Sequence, residues 1–366
     1  KGREYRQKAP AIWCPECETA ISQVETEDMD EDSHFNDIEF ELATGNGSII
    51  ISTTRPELLP ACVAIFVHPD DESNEHLVGE KAEVPLFGYD VPILEDERVD
   101  METGSGIVMC CTFGDQTDIE WYQAHDLDLR IAMNESGQMT DLAEDYEGLD
   151  RGEAREEIVG DLDEEGKLLD RWEIEHTVQV HERCDEPIEF LVTKQWYIEL
   201  LDHKEKYLKA GKEMEWFPEK MFTRYEHWIE GLQWDWCISR QRDSGIPLPV
   251  WYCSECEHEI IADKTDLPVD PLQDEAPVEE CPECEAEEFE PEEDVLDTWA
   301  TSSLTPLINA DWGWNAEEEE FEISRPELYQ MDTRYQAHDI ISFWLFHTVV
   351  KCVEHTGEVP FDDTMV

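Results

Sequence analysis

The chain has 366 residues, the length of two or three domains, and its 40% hydrophobic residues with 13 Trp and 13 Phe are ample for buried cores, which excludes a disordered acidic tail. Its 92 acidic against 26 basic side chains give a formal charge of −66, a self-repulsion that about 1 M salt, with a Debye length of roughly 3 Å, largely screens; this is the composition expected of a halophile's cytoplasmic protein. The longest apolar stretch, Leu58 to Val67 with Pro60 inside it, falls far short of the roughly 20 residues of a membrane span.

The acids are spread along the whole chain and lysine is scarce, with 12 copies, so the charge reads as a hydrated surface and says little about partners. It does not exclude a nucleic acid, because multimolar salt suppresses counterion-driven binding and leaves hydrogen bonds and stacking to act. The sequence opens on "KGREYRQKAP", without Met or a signal-like core, and closes inside a periodic pattern at "GEVPFDDTMV", as an excised piece of a longer chain would.

Residues 1–20 carry a cysteine pair, and "TEDMDEDS" at 26–33 reads as a polar boundary. From about 38 to 112 the segments "DIEFELA", "GSIIISTT", "ACVAIFVHP" and "GIVMCCT", set off by Gly, Pro, Asn and Asp turns, predict short strands and a mostly β domain. Helical periodicity follows from Asp115 through His125 and again around 150–166. Residues 176–200 return to strand periodicity, and 200–230 are helical. A Cys-rich insert fills 251–287, and "HDIISFWLFHTVVKCVEH" has apolar positions Ile340, Ile341, Trp344, Leu345 and Val349 at the spacing of a buried helix.

Cys253 and Cys256 form one C-x2-C knuckle and Cys281 and Cys284 another, 24 residues on, the spacing of a four-thiolate zinc ribbon. Disulfides in a secreted domain are the competing reading, which needs a signal peptide and a small core. Cys14 and Cys17 form a third knuckle, for which His181 and Cys184 of "HERC" are candidate partners if the β domain is an insertion whose ends meet; His181 as an ordinary surface histidine is the alternative. Cys62, Cys110, Cys111, Cys237 and Cys352 lie in apolar patterns and read as core thiols.

"CTFGDQTDIEW" places Asp115 and Asp118 three apart after an apolar run. From the residues alone this is a capping-box pattern, with Asp115 as N-cap and an acid complementing the helix dipole.

"ISTTRPELLPACVAIFVHPDDE" and "GSGIVMCCTFGDQTDIEW" resemble the editing insertion of valyl-tRNA synthetases. "WCPEC", "EFLVTKQWYI", "DWCISRQR", "DVLDTWATSS" and "HDIISFW", in this order, resemble the class I synthetase core that flanks that insertion. "TTRPE" favours the valyl over the isoleucyl and leucyl branches, and "CTFGD" looks like an archaeal-type form, with Met109, Cys111 and Gly114 where bacterial relatives have Lys, Thr and His. Asp243-Ser244-Gly245 and Ala337 are further departures from the family pattern.

The resemblance implies an α/β fold: part of a Rossmann-like catalytic domain carrying an inserted, mostly β, barrel-like editing domain and zinc-ribbon insertions. Its divisions would fall at 1–20 (connective segment with a zinc knuckle), 21–175 (editing domain), 176–230 (return of the connective segment) and 231–366 (second half of the core, with a ribbon at 251–287). The implied function is ATP-dependent attachment of L-valine to tRNA(Val) in the complete enzyme, with Mg2+ and about two Zn2+, in a cytoplasmic and monomeric protein. Neither the HIGH-type nor the KMSKS-type motif occurs in the 366 residues, so this piece alone is not expected to make an aminoacyl-adenylate.

A valine pocket can hardly reject threonine, an isostere with a hydroxyl for a methyl; the established figure for valyl enzymes is about 10²-fold, taken over here rather than worked out from this chain. The inserted domain would therefore hydrolyse threonyl-tRNA, and its site can accept the hydroxyl that valine lacks. By resemblance, Asp118 would hold the substrate ammonium, Asp115 would sit near the threonyl hydroxyl, and Thr53, Thr54 and Arg55 would line the pocket opposite. With no Ser-His pair or metal ligand set among them, the attacking water is expected to be positioned. In the synthetic half, Trp299 and Ile340 would wall the valine pocket with Trp344 beside them, and Asp339 would bind the adenosine ribose; Ile340 and Trp344 as mere core is the plainer alternative. A zinc-stapled RNA- or protein-binding module without catalysis, an isoleucyl- or leucyl-type fragment and a free-standing deacylase are the competing readings.

Overall fold

The computed structural model describes residues 2–366, and their contacts fall into two units, one made of 8–21 and 25–193, the other of the residues up to Gln7, 22–24 and 194–366. The chain passes from one to the other within the strands Glu4–Cys14 and Glu189–Ile198, and twice more on either side of 22–24.

The first unit is built on a strand that is buried along its whole length, Cys62–Val67. It lies in a four-stranded sheet between Asp90–Glu95, to which it runs parallel, and Ile107–Cys111, to which it runs antiparallel, with Lys81–Glu83 outermost. A register shift between Cys62 and Ala64 changes which face successive residues meet. Ile65 and Val67 therefore join Ile38, Phe40, Ile51, Ile93, Ile158 and Leu162 in the main core, while Val63, Ala64 and Phe66 pack with Cys110 and Trp121 on the other side. A strand with two apolar faces to fill reads as the near-continuous hydrophobic run that the sequence shows.

"TEDMDEDS" is not a boundary: it is the first half of a 16-residue strand, Thr26–Glu41, paired antiparallel with Leu168–His181 from Thr26↔His181 onward. Only Asn36, Ile38 and Phe40 of that strand are buried, so the outer half is a solvent-facing ribbon held by backbone bonds, and it carries no apolar alternation to betray it. The helices Gln116–His125 and Arg151–Glu164 begin at the side chains of Asp115 and Asp150, each accepting a backbone N–H, as the sequence pattern predicts for the first.

The second unit contains an all-parallel sheet. Glu215–Phe217, Phe361–Met365 and Met331–Tyr335 form a three-stranded parallel sheet in that order. Helices Lys204–Glu213, Phe222–Glu230 and Phe346–Thr356 pack with it around Tyr207, Tyr225, Ile229, Phe346, Val349 and Phe361. The predicted helix over the last apolar stretch enters through a 3-10 turn at His338–Ile340 and a π turn at Ile341–Leu345 before becoming α-helical. A separate three-stranded sheet, centred on Val250–Cys253, carries the Cys-rich insert. Cys62, Cys110, Cys111, Cys237 and Cys352 are buried thiols, as their apolar settings predict.

Candidate functional site

In the first unit the segments "STTRPE" and "CTFGDQTD" meet. The Ser48–Thr53 strand ends at Thr53, whose hydroxyl accepts the Arg55 N–H at 3.0 Å and turns the chain into the buried 3-10 segment Pro56–Ala61. The Ile107–Cys111 strand ends one turn before Asp115, which caps the next helix by accepting the Asp118 N–H at 2.9 Å. Gly114 joins the two: its carbonyl accepts from Arg55 Nη1 at 3.2 Å and its N–H donates to Asp118 Oδ2 at 2.8 Å. A Cβ at Gly114 would stand 2.8 Å from that oxygen and 3.1 Å from Leu58 Cδ1, so a side chain here would require the Asp118 carboxyl to shift from this position.

The Asp118 side chain is buried. Burial, with the Asp115 charge adding to it, pushes its carboxyl well above the usual range against the opposing Gly114 N–H. A carboxyl so placed gains most from an incoming cation. Thr53 and Thr54 are half-buried and directly precede Arg55 in the chain.

Arg55 is already engaged. Its Nε donates to Glu57 at 3.1 Å and its Nη2 to both oxygens of Glu189 at 2.8 Å, so with Gly114 four of its five N–H groups are used. Arg155 holds Glu57 from the other side at 2.8 and 2.9 Å, and Arg151 holds Glu189 at 2.6 Å and also Glu186. Burial disfavours charge on Glu57, but the Arg155 hydrogen bonds and the Arg55 charge outweigh it and hold the carboxyl below its ordinary range. Glu189 and Glu57 in turn push Arg55 upward against its own burial.

Sequence reasoning missed Glu57, Glu189, Arg151 and Arg155. Two signals were available. Glu189 is an acid inside the apolar run "IEFLV", and Arg151 and Arg155 are four apart on the helix whose Ala154, Ile158 and Leu162 are buried.

The cysteine and histidine sets converge as well. Cys14, Cys17, His181 and Cys184 come together in the first unit, and Cys253, Cys256, Cys281 and Cys284 in the second, the candidate ligand atoms of each set all within 4.8 Å of one another. Around the first, Cys14 and Cys184 Sγ are 3.6 Å apart and His181 Nδ1 lies 3.4 Å from Cys184 and 3.6 Å from Cys17. In the second, Cys253–Cys284 and Cys256–Cys281 stand at 3.4 and 3.6 Å. These are not disulfides, and a tetrahedral Zn2+ with Zn–S of about 2.3 Å sets its sulfurs about 3.8 Å apart, so both sets fit that ion. The residue after each second ligand, Glu18, Asp185, Glu257 and Glu285, has φ between 48° and 62°, the left-handed turn that closes a knuckle.

In the second unit, Asp339 follows the carboxyl end of the parallel strand Met331–Tyr335 at a strand-to-helix junction, where open α/β sheets bind ligands. Its side chain is exposed, 3.7 Å from His338 Nδ1. Ile340 and Trp344 are half-buried, and the core is filled instead by Ile341 and Leu345, so the plainer core reading suits their neighbours better. Trp344 stacks between Arg334, 3.9 Å away, and Phe361, and donates to the Ser302 carbonyl at 3.1 Å; Trp299 faces Phe343 at 5.3 Å. Trp299 Nε1, Ser302 Oγ, Arg334 Nε and both polar atoms of Gln336 are buried without a hydrogen bond among the described residues. A concentration of unmet donors and acceptors at one end of a parallel sheet suits a polar ligand.

The family model described as tRNA synthetases class I (I, L, M and V) matches residues 1–366. The chain is 68% identical over its whole length to a valine–tRNA ligase of Haloarcula marismortui and 48% identical to one of Methanopyrus kandleri, covering 41% and 40% of those proteins. It thus spans about two-fifths of the length of the curated relatives it matches. Among solved structures, a LeuRS–tRNA–LeuAMS ternary complex from Agrobacterium radiobacter K84 matches at 15% identity and a TM-score of 0.36, covering 100% of this chain and 49% of that one, too loosely to carry an argument.

Proposed function

Given that the chain belongs to the class I tRNA synthetases, we propose that it supplies the editing site and part of the synthetic core of a valine–tRNA ligase, whose substrates are tRNA(Val), L-valine and ATP with Mg2+. The observation that carries the editing half is the meeting of Arg55 and Asp118 on Gly114, two segments sixty residues apart that a mere scaffold has no reason to bring together around a buried carboxyl.

In this reading the mostly β unit is the editing domain, and the divisions at 1–20, 21–175, 176–230 and 231–366 describe the chain's course through insertion and core. Asp118 holds the α-ammonium of threonyl-tRNA, which restores the carboxylate that burial disfavours. Asp115 keeps one oxygen on the helix N-terminus and offers the other toward the threonyl hydroxyl, and Thr53 and Thr54 face the ester. Water attacks the ester carbon, the bond to the ribose oxygen of the terminal adenosine breaks, and threonine leaves as a free acid. Valine offers a methyl where the hydroxyl would bond, leaving an acceptor unmatched, which costs about 1–3 kcal/mol.

Trp299, Ile340 and Trp344 wall the amino-acid pocket of the synthetic site, and Asp339 binds the ribose of ATP. The two ligand sets hold two Zn2+ that staple the knuckles and take no part in the reaction. The reading is of a cytoplasmic, monomeric enzyme; among the described residues no helix is long and apolar enough to cross a membrane. The test is hydrolysis of preformed Thr-tRNA(Val) by the full-length protein beside valine-dependent ATP–pyrophosphate exchange. Exchange without Thr-tRNA hydrolysis would leave a ligase that does not edit here.

A further inference from the structure

The structure does more around Arg55 than line a pocket. An arginine that grips substrate keeps its fork open; this one is closed on Glu57, on both oxygens of Glu189 and on the Gly114 carbonyl. Glu57 and Glu189 are 0% and 3% exposed, and each is gripped by a second arginine, Arg155 and Arg151. Well-packed apolar residues would stabilise such an interior as well as a buried ion network does, so stability alone does not account for it. What the network supplies is direction: a planar guanidinium pinned at both edges holds the carbonyl oxygen of Gly114, and so restrains the glycine whose N–H meets Asp118 Oδ2.

We propose that Glu57 and Glu189 are positioning residues for the Asp118 carboxylate, acting through Arg55 and the backbone of Gly114. The inference rests on the editing reading of Asp118. The groups that face Asp118 are Asp115, Cys110 and Cys111, none of them a cation, while Arg55 stands beyond Gly114. The Gly114 N–H is therefore one of the few interactions that favour its charged form. Releasing Gly114 weakens substrate binding and makes Asp118 harder to ionise.

The test uses Glu189→Gln and Arg55→Lys in the full-length protein, with Thr-tRNA hydrolysis measured across pH. Both variants should lose tenfold or more in kcat/KM, with the acid limb of the pH profile moved to higher pH. Glu189→Gln placed on Asp118→Asn should add less than twofold, because both act on one carboxylate. Thermal melting identifies a variant that does not fold, and Arg55→Lys, which keeps the charge but loses the fork, then carries the comparison. Wild-type hydrolysis in folded variants, or an unmoved acid limb with losses that multiply those of Asp118→Asn, overturns the positioning role. Full hydrolysis by Asp118→Asn itself overturns the editing reading, and this inference with it.

Discussion

Replacing Asp118 by Asn separates helix capping from substrate binding. The cap is the Asp115 carboxylate accepting the backbone N–H of residue 118, which any side chain at 118 preserves. The bond from Gly114 N to Asp118 Oδ2 survives too, since an Asn oxygen accepts it equally. Only the negative charge is lost. Because burial and the Asp115 charge raise the Asp118 carboxyl, its contribution to stability is complete below the unfolded value of 3.8 and is lost as pH rises through the folded value. At neutral pH the Asn variant should therefore melt no lower than the native protein. If Asp118 holds an ammonium, the lost charge-assisted bond removes about 1.5–3 kcal/mol, or about tenfold to over a hundredfold in deacylation rate. The assay is hydrolysis of preformed Thr-tRNA(Val) with thermal melting and valine-dependent ATP–pyrophosphate exchange alongside. Unchanged hydrolysis in a folded variant would return the aspartate pair to capping alone.

Elemental analysis of the purified full-length protein should find zinc in both ligand sets, and Cys253→Ser together with Cys284→Ser should remove one equivalent; a single equivalent in the native protein, unaffected by that change, would leave only the Cys14, Cys17, His181 and Cys184 set occupied. Glu57 has the opposite pH sign to Asp118: its depressed carboxyl contributes stability above the unfolded value of 4.5 and loses it as pH falls through the folded value. The melting temperature should thus drop below about pH 4.5, less steeply in Glu57→Gln, and equal slopes in the two proteins would contradict the network's part in acid unfolding. Circular dichroism should show unfolding on dilution from multimolar to low salt, because a net −66 must be screened, and full retention at low ionic strength would refute that reason for the composition.

The parts of the site that were legible in the sequence are those whose chemistry is local. C-x2-C spacing announces a knuckle because two thiolates three residues apart already fit one ion, and Asp115 announces a helix start because its partner is also three residues away. The Arg/Glu network was hidden because its partners lie 134 and 98 residues apart, and no local pattern distinguishes a buried glutamate from the many solvated ones. The outer half of Thr26–Glu41 was hidden for a different reason. A ribbon exposed on both faces has no need of apolar alternation, so acidic residues there look like a linker while their backbones pair with Leu168–His181. The 3-10 and π turns over 338–345 shift the buried positions to Ile341 and Leu345, a detail that a regular helical wheel does not contain.

The most direct test of the editing claim compares preformed Thr-tRNA(Val) and Val-tRNA(Val) as substrates for hydrolysis by the full-length protein in high salt. Thr-tRNA(Val) should be hydrolysed at least tenfold faster, the equivalent of about 1.4 kcal/mol or more for the hydroxyl that valine lacks. Equal rates, or no hydrolysis of either, would contradict it.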